Sequence, residues 1–210
     1  MEVRTYQEGD IKLTNIKTHI EDERVTISFK WPNELEQVYI YKRNLLVQEA
    51  VDFDRPFRKY TKNEYVCFGG FVDQQVGLGV MEYWICPYFK EAEEGYILDF
   101  PDNSNKIKVM TKKIAINYQL NEKKKLFSRT KLVQMHIFCE MDLPRETLCY
   151  VKKKGSIPVN SQDGMQFKFI EDFVAGDNIL PEIEIDKEEY LRIYLSDEVE
   201  YKEIYGVYKL

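Results

Sequence analysis

The stretch 25–43 contains two short runs in which apolar and polar residues alternate. In the first run, every second position from Val25 to Trp31 is apolar, which is the pattern of a strand with one buried face. A polar turn, 32–37, interrupts the alternation, and a second alternating run begins at Val38. The stretch therefore predicts two consecutive β-strands joined by a turn.

The same arrangement returns in the second half of the chain. Apolar residues alternate from Met135 to Met141, and after a turn a second run resumes at Leu148. Both copies end in two basic residues, and they align without a gap. This internal repeat predicts two all-β domains, residues 1–110 and 111–210, each close to the usual domain size of about 100 residues.

Further apolar runs, separated by turn residues, extend the strand pattern through both halves. The strands predicted in the first half are 45–51, 65–72, 80–89, 95–100 and 107–110, with a charged loop over 52–63. Those predicted in the second half are 114–116, 165–169, 183–185, 190–195 and 199–208, with a tight turn at 175–178 and an extra basic hairpin over 121–129. No helical stripe exceeds two turns, so the predicted class is all-β with the strand spacing of sandwiches.

A family resemblance rests on the alternating residues 25–40, which include Trp31 and Pro32, and on the later strand 82–85. These segments resemble strands B, C and F of fibronectin type III and related immunoglobulin-like domains. The resemblance covers most of residues 10–110 and is weaker in the second half, where Met141 replaces the tryptophan. It implies two tandem immunoglobulin-like β-sandwiches of seven strands, with Trp31 in the core, used for binding, spacing or adhesion rather than catalysis.

Composition and charge narrow the choice of partner. A hydrophobic content of 44%, with 15 Tyr and 12 Phe, suits packed cores and half-buried strand faces. A net charge of −6 and a pI near 5.2 argue against nucleic-acid binding, which needs a concentrated basic face. The short lysine runs 123–125 and 152–154 are interpreted as solvated hairpin tips rather than as phosphate sites.

The predicted compartment follows from the first residues and the cysteines. Residues 1–10 lack the apolar core of a signal peptide, and no stretch approaches a membrane span, so we expect a cytoplasmic protein, or an extracellular one if a signal was removed. The cysteines lie in strand-like apolar runs without a C-x-x-C pair, which predicts buried, reduced thiols. A bridge between Cys139 and Cys149 is the alternative. The four are Cys67, Cys86, Cys139 and Cys149.

Residues able to carry catalysis are few and scattered. The two histidines, His19 and His136, have no nucleophile and orienting group placed beside them in the sequence, and zinc-ligand spacing is absent. Adjacent carboxylates such as Asp52/Asp54 do not establish the separation that a glycosidase needs. Calcium at Asp52/Asp54 or Asp172/Asp177 is conceivable, but no EF-hand repeat is present. We therefore expect no catalytic residues, no metal and no cofactor.

One group of aromatic residues is a candidate binding surface. If Val38 and Ile40 face the core, Tyr39 and Tyr41 point to the outer face of their strand, and Trp84 does the same on a neighbouring strand. Exposed aromatics of this size mark interfaces or sugar platforms. The competing interpretation is that a loop or the other domain covers Tyr39, Tyr41 and Trp84, and we favour that interpretation.

These observations leave two main functional hypotheses and a weaker third. The first is a non-enzymatic protein-interaction or scaffold protein with a protein partner. The second is a carbohydrate-binding or carbohydrate-processing accessory protein with a glycan partner. An enzyme with its site at the domain junction is the third, and no sequence feature supports it directly.

Overall fold

The computed structural model describes residues 1–47, 50–91, 94–124 and 127–210. They divide into two compact units, Met1–Lys112 and Lys113–Leu210. Strands dominate both units and most strand pairs are antiparallel, so the predicted all-β class is confirmed. The arrangement is compatible with β-sandwich modules.

Two sheets and a short helix make up the first unit. Its elements are β1 (Glu2–Thr5), β2 (Thr14–Glu21), β3 (Arg24–Lys30), β4 (Gln37–Asn44), β5 (Arg58–Thr61), α1 (Lys62–Phe68), β6 (Phe71–Asp73), β7 (Met81–Glu91), β8 (Glu94–Asp99) and β9 (Lys106–Val109). The larger sheet has the order β1-β8-β7-β4-β5, with β9 also paired to β7, and the smaller has the order β2-β3-β6. The pairing of β1 with β8 is parallel.

The core of this unit lies between the two sheets and follows the alternation of the sequence. Val25, Ile27 and Phe29 of β3 are buried against Val38 and Ile40 of β4, as the first two runs predict. The smaller sheet is also closely packed at Gly70, where the backbone has φ +151° and a β-carbon would lie 2.9 Å from the carbonyl oxygen of Ile27. Only glycine meets both conditions without strain.

The segment 52–72 differs from its prediction. The charged loop ends at β5, and the expected strand over 65–72 is instead α1 followed by β6. Thr61 caps α1 by accepting a hydrogen bond from the Glu64 main-chain N–H, and the Glu64 carboxylate accepts one from the Thr61 N–H, which completes a capping box. Gly69 closes the helix in the left-handed conformation, with φ +69°, a common helix ending.

Eight strands and two short helices make up the described part of the second unit. They are β10 (Ile114–Lys124), β11 (Thr130–Cys139), a 3-10 turn (Arg145–Thr147), β12 (Leu148–Lys154), β13 (Met165–Lys168), β14 (Gly176–Ile179), β15 (Ile183–Asp186), β16 (Glu189–Leu195), α2 (Glu198–Tyr201) and β17 (Tyr205–Lys209). One sheet has the order β14-β11-β10-β17, with β15 also paired to β11, and the other has the order β13-β12-β16.

The two units differ in how their last strand pairs. In the first unit, β8 and β9 both pair with β7. In the second unit, β17 instead pairs in parallel with β10. Strand β16 therefore lies at the end of its sheet, and no described strand pairs with its second edge.

Several smaller predictions are wrong or fall outside the described residues. The expected tight turn at 175–178 is mostly strand β14, and the expected strand 199–208 contains α2 before β17 begins. Of the predicted strand 45–51, positions 48 and 49 lie outside the described residues, and the described ones are not strand. Of the basic segment 121–129, residues 121–124 are the end of β10 and pair with β11, and positions 125 and 126 lie outside the described residues.

Candidate functional site

The three aromatic residues predicted to share an outer face do lie on one face of the larger sheet of the first unit. Tyr41 is directly opposite Trp84 in the β4–β7 register, and Tyr39 is opposite Cys86. Because directly opposed residues of an antiparallel pair point to the same side, these side chains form one group. It lies on the side of β4 away from Val38 and Ile40, which are in the core.

This aromatic group is covered rather than open. Only 5% of Tyr39 and 2% of Tyr41 are exposed, and Val51, Phe53 and Tyr88 pack against them. The Tyr41 hydroxyl donates a hydrogen bond to the carbonyl oxygen of Phe53 at 3.0 Å, and the rings of Tyr39 and Tyr88 stack with centroids 4.4 Å apart. Val51 and Phe53, in the described part of the connection between β4 and β5, therefore cover the face.

Trp84 is partly exposed, but charged side chains contact its indole ring. The Lys106 ammonium lies 3.7 Å from the ring centroid, a close cation–π contact. The indole N–H donates to Glu82 at 2.7 Å, and Arg43 also pairs with Glu82. Burial alone raises the pKa of the Glu82 carboxyl, but the hydrogen bonds from Trp84 and Arg43 outweigh it and the pKa lies below its ordinary value.

A partner cannot reach Tyr39 and Tyr41 while Val51 and Phe53 cover them. A binding role for Tyr39, Tyr41 and Trp84 therefore stays a prediction, and it requires Phe53 and its neighbours to move aside. In the second unit, the Tyr194 hydroxyl on β16 donates to the carbonyl oxygen of Pro158 in the β12–β13 connection.

Trp31 lies at the margin of the first core instead of inside it. Its side chain is partly buried, its ring stacks on Phe29 at 5.4 Å, and its indole N–H donates to the carbonyl oxygen of Leu35. The expectation of a largely buried Trp31 is therefore wrong, because β3 ends at Lys30 and the indole follows the strand. Its exposed part borders a shallow groove of about 370 Å³, whose other lining residues are Lys12, Thr14, Lys30, Pro32, Asn33 and Glu34.

The second unit carries an apolar groove of about 360 Å³ that the sequence patterns did not indicate. Tyr150 and Phe169, with ring centroids 5.4 Å apart, line it together with Phe173. Next to these rings, Ile170 is 84% exposed and Ile179 is 65% exposed. Ile170 lies in the β13–β14 connection and Ile179 is the last residue of β14, so one of them is outside any alternating run and the other is at the very end of one.

A buried ion pair in the first unit was also missed. The Asp73 carboxylate accepts hydrogen bonds from Lys42 Nζ at 2.7 Å and from the Tyr83 hydroxyl at 2.6 Å. Burial raises the pKa of Asp73. Hydrogen bonds from these two donors and from the Gln75 N–H lower the pKa by more than burial raises it, so the pKa lies below its ordinary value. All the donors belong to the protein itself, which indicates a structural role.

The remaining candidates for chemistry are dispersed. His136 Nε2 is 2.8 Å from Asp177 Oδ1 on an adjacent strand, and His19 is exposed on β2.

All four cysteines are free, which excludes a Cys139–Cys149 bridge here. Cys67 is exposed on α1, contrary to the prediction. Burial raises the pKa of the Cys86 thiol to about 12. Within the described residues, no three His, Cys, Asp or Glu side chains gather to hold a metal ion.

Comparison with known proteins gives no family assignment. No protein-family model matches the chain, and no curated protein matches it. Among the residues with described positions, no helix is long and apolar enough to cross a membrane. The two candidate sites are therefore the apolar groove of the second unit and the groove beside Trp31.

Proposed function

We propose that this chain is a non-enzymatic protein-interaction or scaffold protein that uses the apolar groove of its second unit to bind a protein partner. The observation that carries the proposal is the exposed aliphatic surface around Tyr150 and Phe169. Leaving such surface in water is unfavourable by roughly 25 cal/mol per Å², and contiguous exposed apolar patches mark interaction sites.

A macromolecular partner fits this surface better than a small ligand. Ile170 and Ile179 line the groove and expose most of their side chains, and Val174, four residues after Ile170, is also mostly exposed. The exposed apolar surface is therefore larger than one side chain can supply. Lys168, Glu171 and Asp172 lie along its margin, which is the combination of apolar centre and polar rim found in protein interfaces. The proposed partner therefore inserts apolar side chains into the groove.

The fibronectin type III resemblance supports the same function. Strands β4 and β7, matched to strands C and F, are neighbours in one sheet, whereas β3, matched to strand B, lies in the other. Immunoglobulin-like domains separate B from C and F in this way, and they serve mostly as binding and spacing modules. We propose that the first unit is a domain of this type and the second a divergent one.

The test is capture of partners from an extract of the source cells with three forms of the chain. The groove variant is Ile170→Ser/Ile179→Ser, and the matched control is Val199→Ser, which removes an apolar side chain that is 87% exposed on α2. We expect the parent and the control to retain the same protein and the groove variant to lose it, with unchanged circular dichroism spectra. Equal recovery by all three forms would contradict the proposal.

A second candidate function, glycan binding, is favoured by the groove beside Trp31. A fixed indole edge next to lysine, threonine, asparagine and glutamate side chains offers both an apolar face and hydrogen-bonding groups for sugar hydroxyls. On a glycan array, Trp31→Ala and Asn33→Ala should both lose any signal that the parent gives. A parent without any signal would leave the protein-partner proposal as the sole candidate.

A further inference from the structure

A cavity of about 210 Å³ lies in the second unit beside the unpaired edge of β16. It exists because β17 pairs with β10 and leaves a gap next to β16. The side chains of Ile193, Leu195 and Val207 form its apolar part. This cavity belongs neither to the apolar groove nor to the groove beside Trp31, since they share no lining residue with it.

One residue that lines the cavity carries a buried hydroxyl group without a hydrogen-bond partner in the described part of the chain. Tyr118, which is only 2% exposed, contributes its side chain to the lining, and within the described residues its hydroxyl oxygen has no partner. The Ile193 N–H and the Arg192 guanidinium approach that oxygen without reaching good hydrogen-bond geometry. A buried polar group left unsatisfied is unfavourable by about 1–3 kcal/mol, so the site is suited to a ligand that accepts a hydrogen bond.

Positive charge surrounds the cavity. Arg192, Lys202 and Lys209 line it together with one carboxylate, Glu198. Lys209 is directly beside Tyr118 in the β10–β17 register, so the two side chains share one face. The lysines and the arginine that do form ion pairs in the described part of this unit are others: Lys123, Lys131, Arg145, Lys152, Lys153 and Lys154. The lining therefore offers donors and excess positive charge.

The dimensions favour a small ligand over an added strand. Cα atoms of β16 and β17 come within 8 Å of each other, whereas a strand inserted between them needs about 9.5 Å, or twice the ordinary strand spacing. We propose that this cavity binds the phosphate group of a small molecule. Arg192 contacts the phosphate oxygens through its planar fork of N–H donors, Lys202 and Lys209 add charge, and the Tyr118 hydroxyl donates from below.

Binding is tested by isothermal titration calorimetry in low-salt buffer, with inorganic phosphate and glycerol phosphate as separate probes. Arg192→Gln should weaken the affinity by at least about tenfold, as expected for loss of hydrogen bonds to a charged group. The control is Lys187→Gln, which removes an exposed lysine in the turn before β16 and should bind like the parent. Tighter binding of glycerol phosphate would identify a phosphomonoester, and equal binding the free ion.

Tyr118→Phe gives a second measurement that does not depend on Arg192. Without ligand it should melt at the parent's temperature or slightly above, because it removes an unpaired buried hydroxyl, and with phosphate it should bind several-fold more weakly. Absence of saturable binding by the parent, or variants Arg192→Gln and Tyr118→Phe that bind as tightly as it does, would overturn the proposal. A clear loss of melting temperature in Tyr118→Phe without ligand would also overturn it, because the hydroxyl would then already be satisfied.

Discussion

At the scale of single residues, the most informative group is the pair of Asp73 and Lys42 with Tyr83. Asp73 is 6% exposed and Lys42 14% exposed in their side chains, and Tyr83 is completely buried. Ions removed from water to this extent depend on each other, since the loss of one leaves the other charge unpaired. The period-2 pattern placed Tyr83 correctly inside, but it gave no sign that a carboxylate would lie next to it.

We predict that Asp73→Asn destabilises the protein by about 3 kcal/mol at pH 7, because Lys42 loses its charged partner in a buried site. Urea denaturation of the parent and the variant measures this difference. The matched control is Asp102→Asn, which breaks the exposed pair with Lys12 and should change stability little. A variant Asp73→Asn as stable as that control would show that the buried pair contributes nothing.

The same carboxylate predicts a pH dependence. The pKa of Asp73 is lower in the folded protein than its ordinary value, so its stabilising contribution is complete above that ordinary value and is lost as the pH falls through the lower, folded-state pKa. The difference in unfolding free energy between the parent and Asp73→Asn should therefore shrink as the pH falls below about 4. A difference that stays constant down to pH 2 would contradict the assignment.

At the scale of elements, α1 shows what local sequence can and cannot reveal. Thr61, Glu64 and Gly69 are a capping box and a helix-ending glycine, and these signals were present in the sequence. The apolar run 65–72 was nevertheless interpreted as a strand, because a short apolar run does not distinguish strand from helix. Tertiary contact completes the helix: the Tyr65 hydroxyl accepts from the Phe29 N–H at 2.8 Å.

We predict that Thr61→Ala destabilises the first unit by about 1 kcal/mol through loss of the N-cap, whereas Thr61→Ser, which keeps a hydroxyl acceptor, stays close to the parent. Chemical denaturation measures both. Equal destabilisation by the two substitutions would mean that the methyl group of Thr61, and not its hydroxyl, stabilises this region.

The alternation of apolar and polar residues predicted which face of a strand a side chain occupies, but it did not predict how exposed that side chain is. It placed Tyr39, Tyr41 and Trp84 on one face, because facing depends only on the period of a strand. Phe53, which covers them, comes from a segment without a repeating pattern. The sequence therefore favoured a covered face but did not identify the residue that covers it. The cavity beside β16 could not be predicted from alternation either, because it depends on whether β17 pairs with β10 or with β16.

At the scale of the whole molecule, the chain consists of two units that each have their own sheets. The division falls at Lys112 and Lys113, and each described strand pair joins strands of one unit, from β1–β8 in the first to β10–β17 in the second. Each unit is near the common domain size of about 100 residues. Buried apolar residues are present in both, from Val25 and Ile40 in the first to Ile116 and Ile193 in the second.

We therefore predict that residues 1–112 and 113–210, produced separately, each fold on their own. Both fragments should give a cooperative urea transition, because the hydrogen-bonded sheets and the buried residues of each are complete within it. The Asp73→Asn and Thr61→Ala substitutions should destabilise fragment 1–112 as they do the whole chain, and fragment 113–210 should keep the phosphate affinity of the parent. If either fragment lacked a cooperative transition, the two units would be parts of one folding domain. The two copies of the internal repeat would then not fold independently of each other.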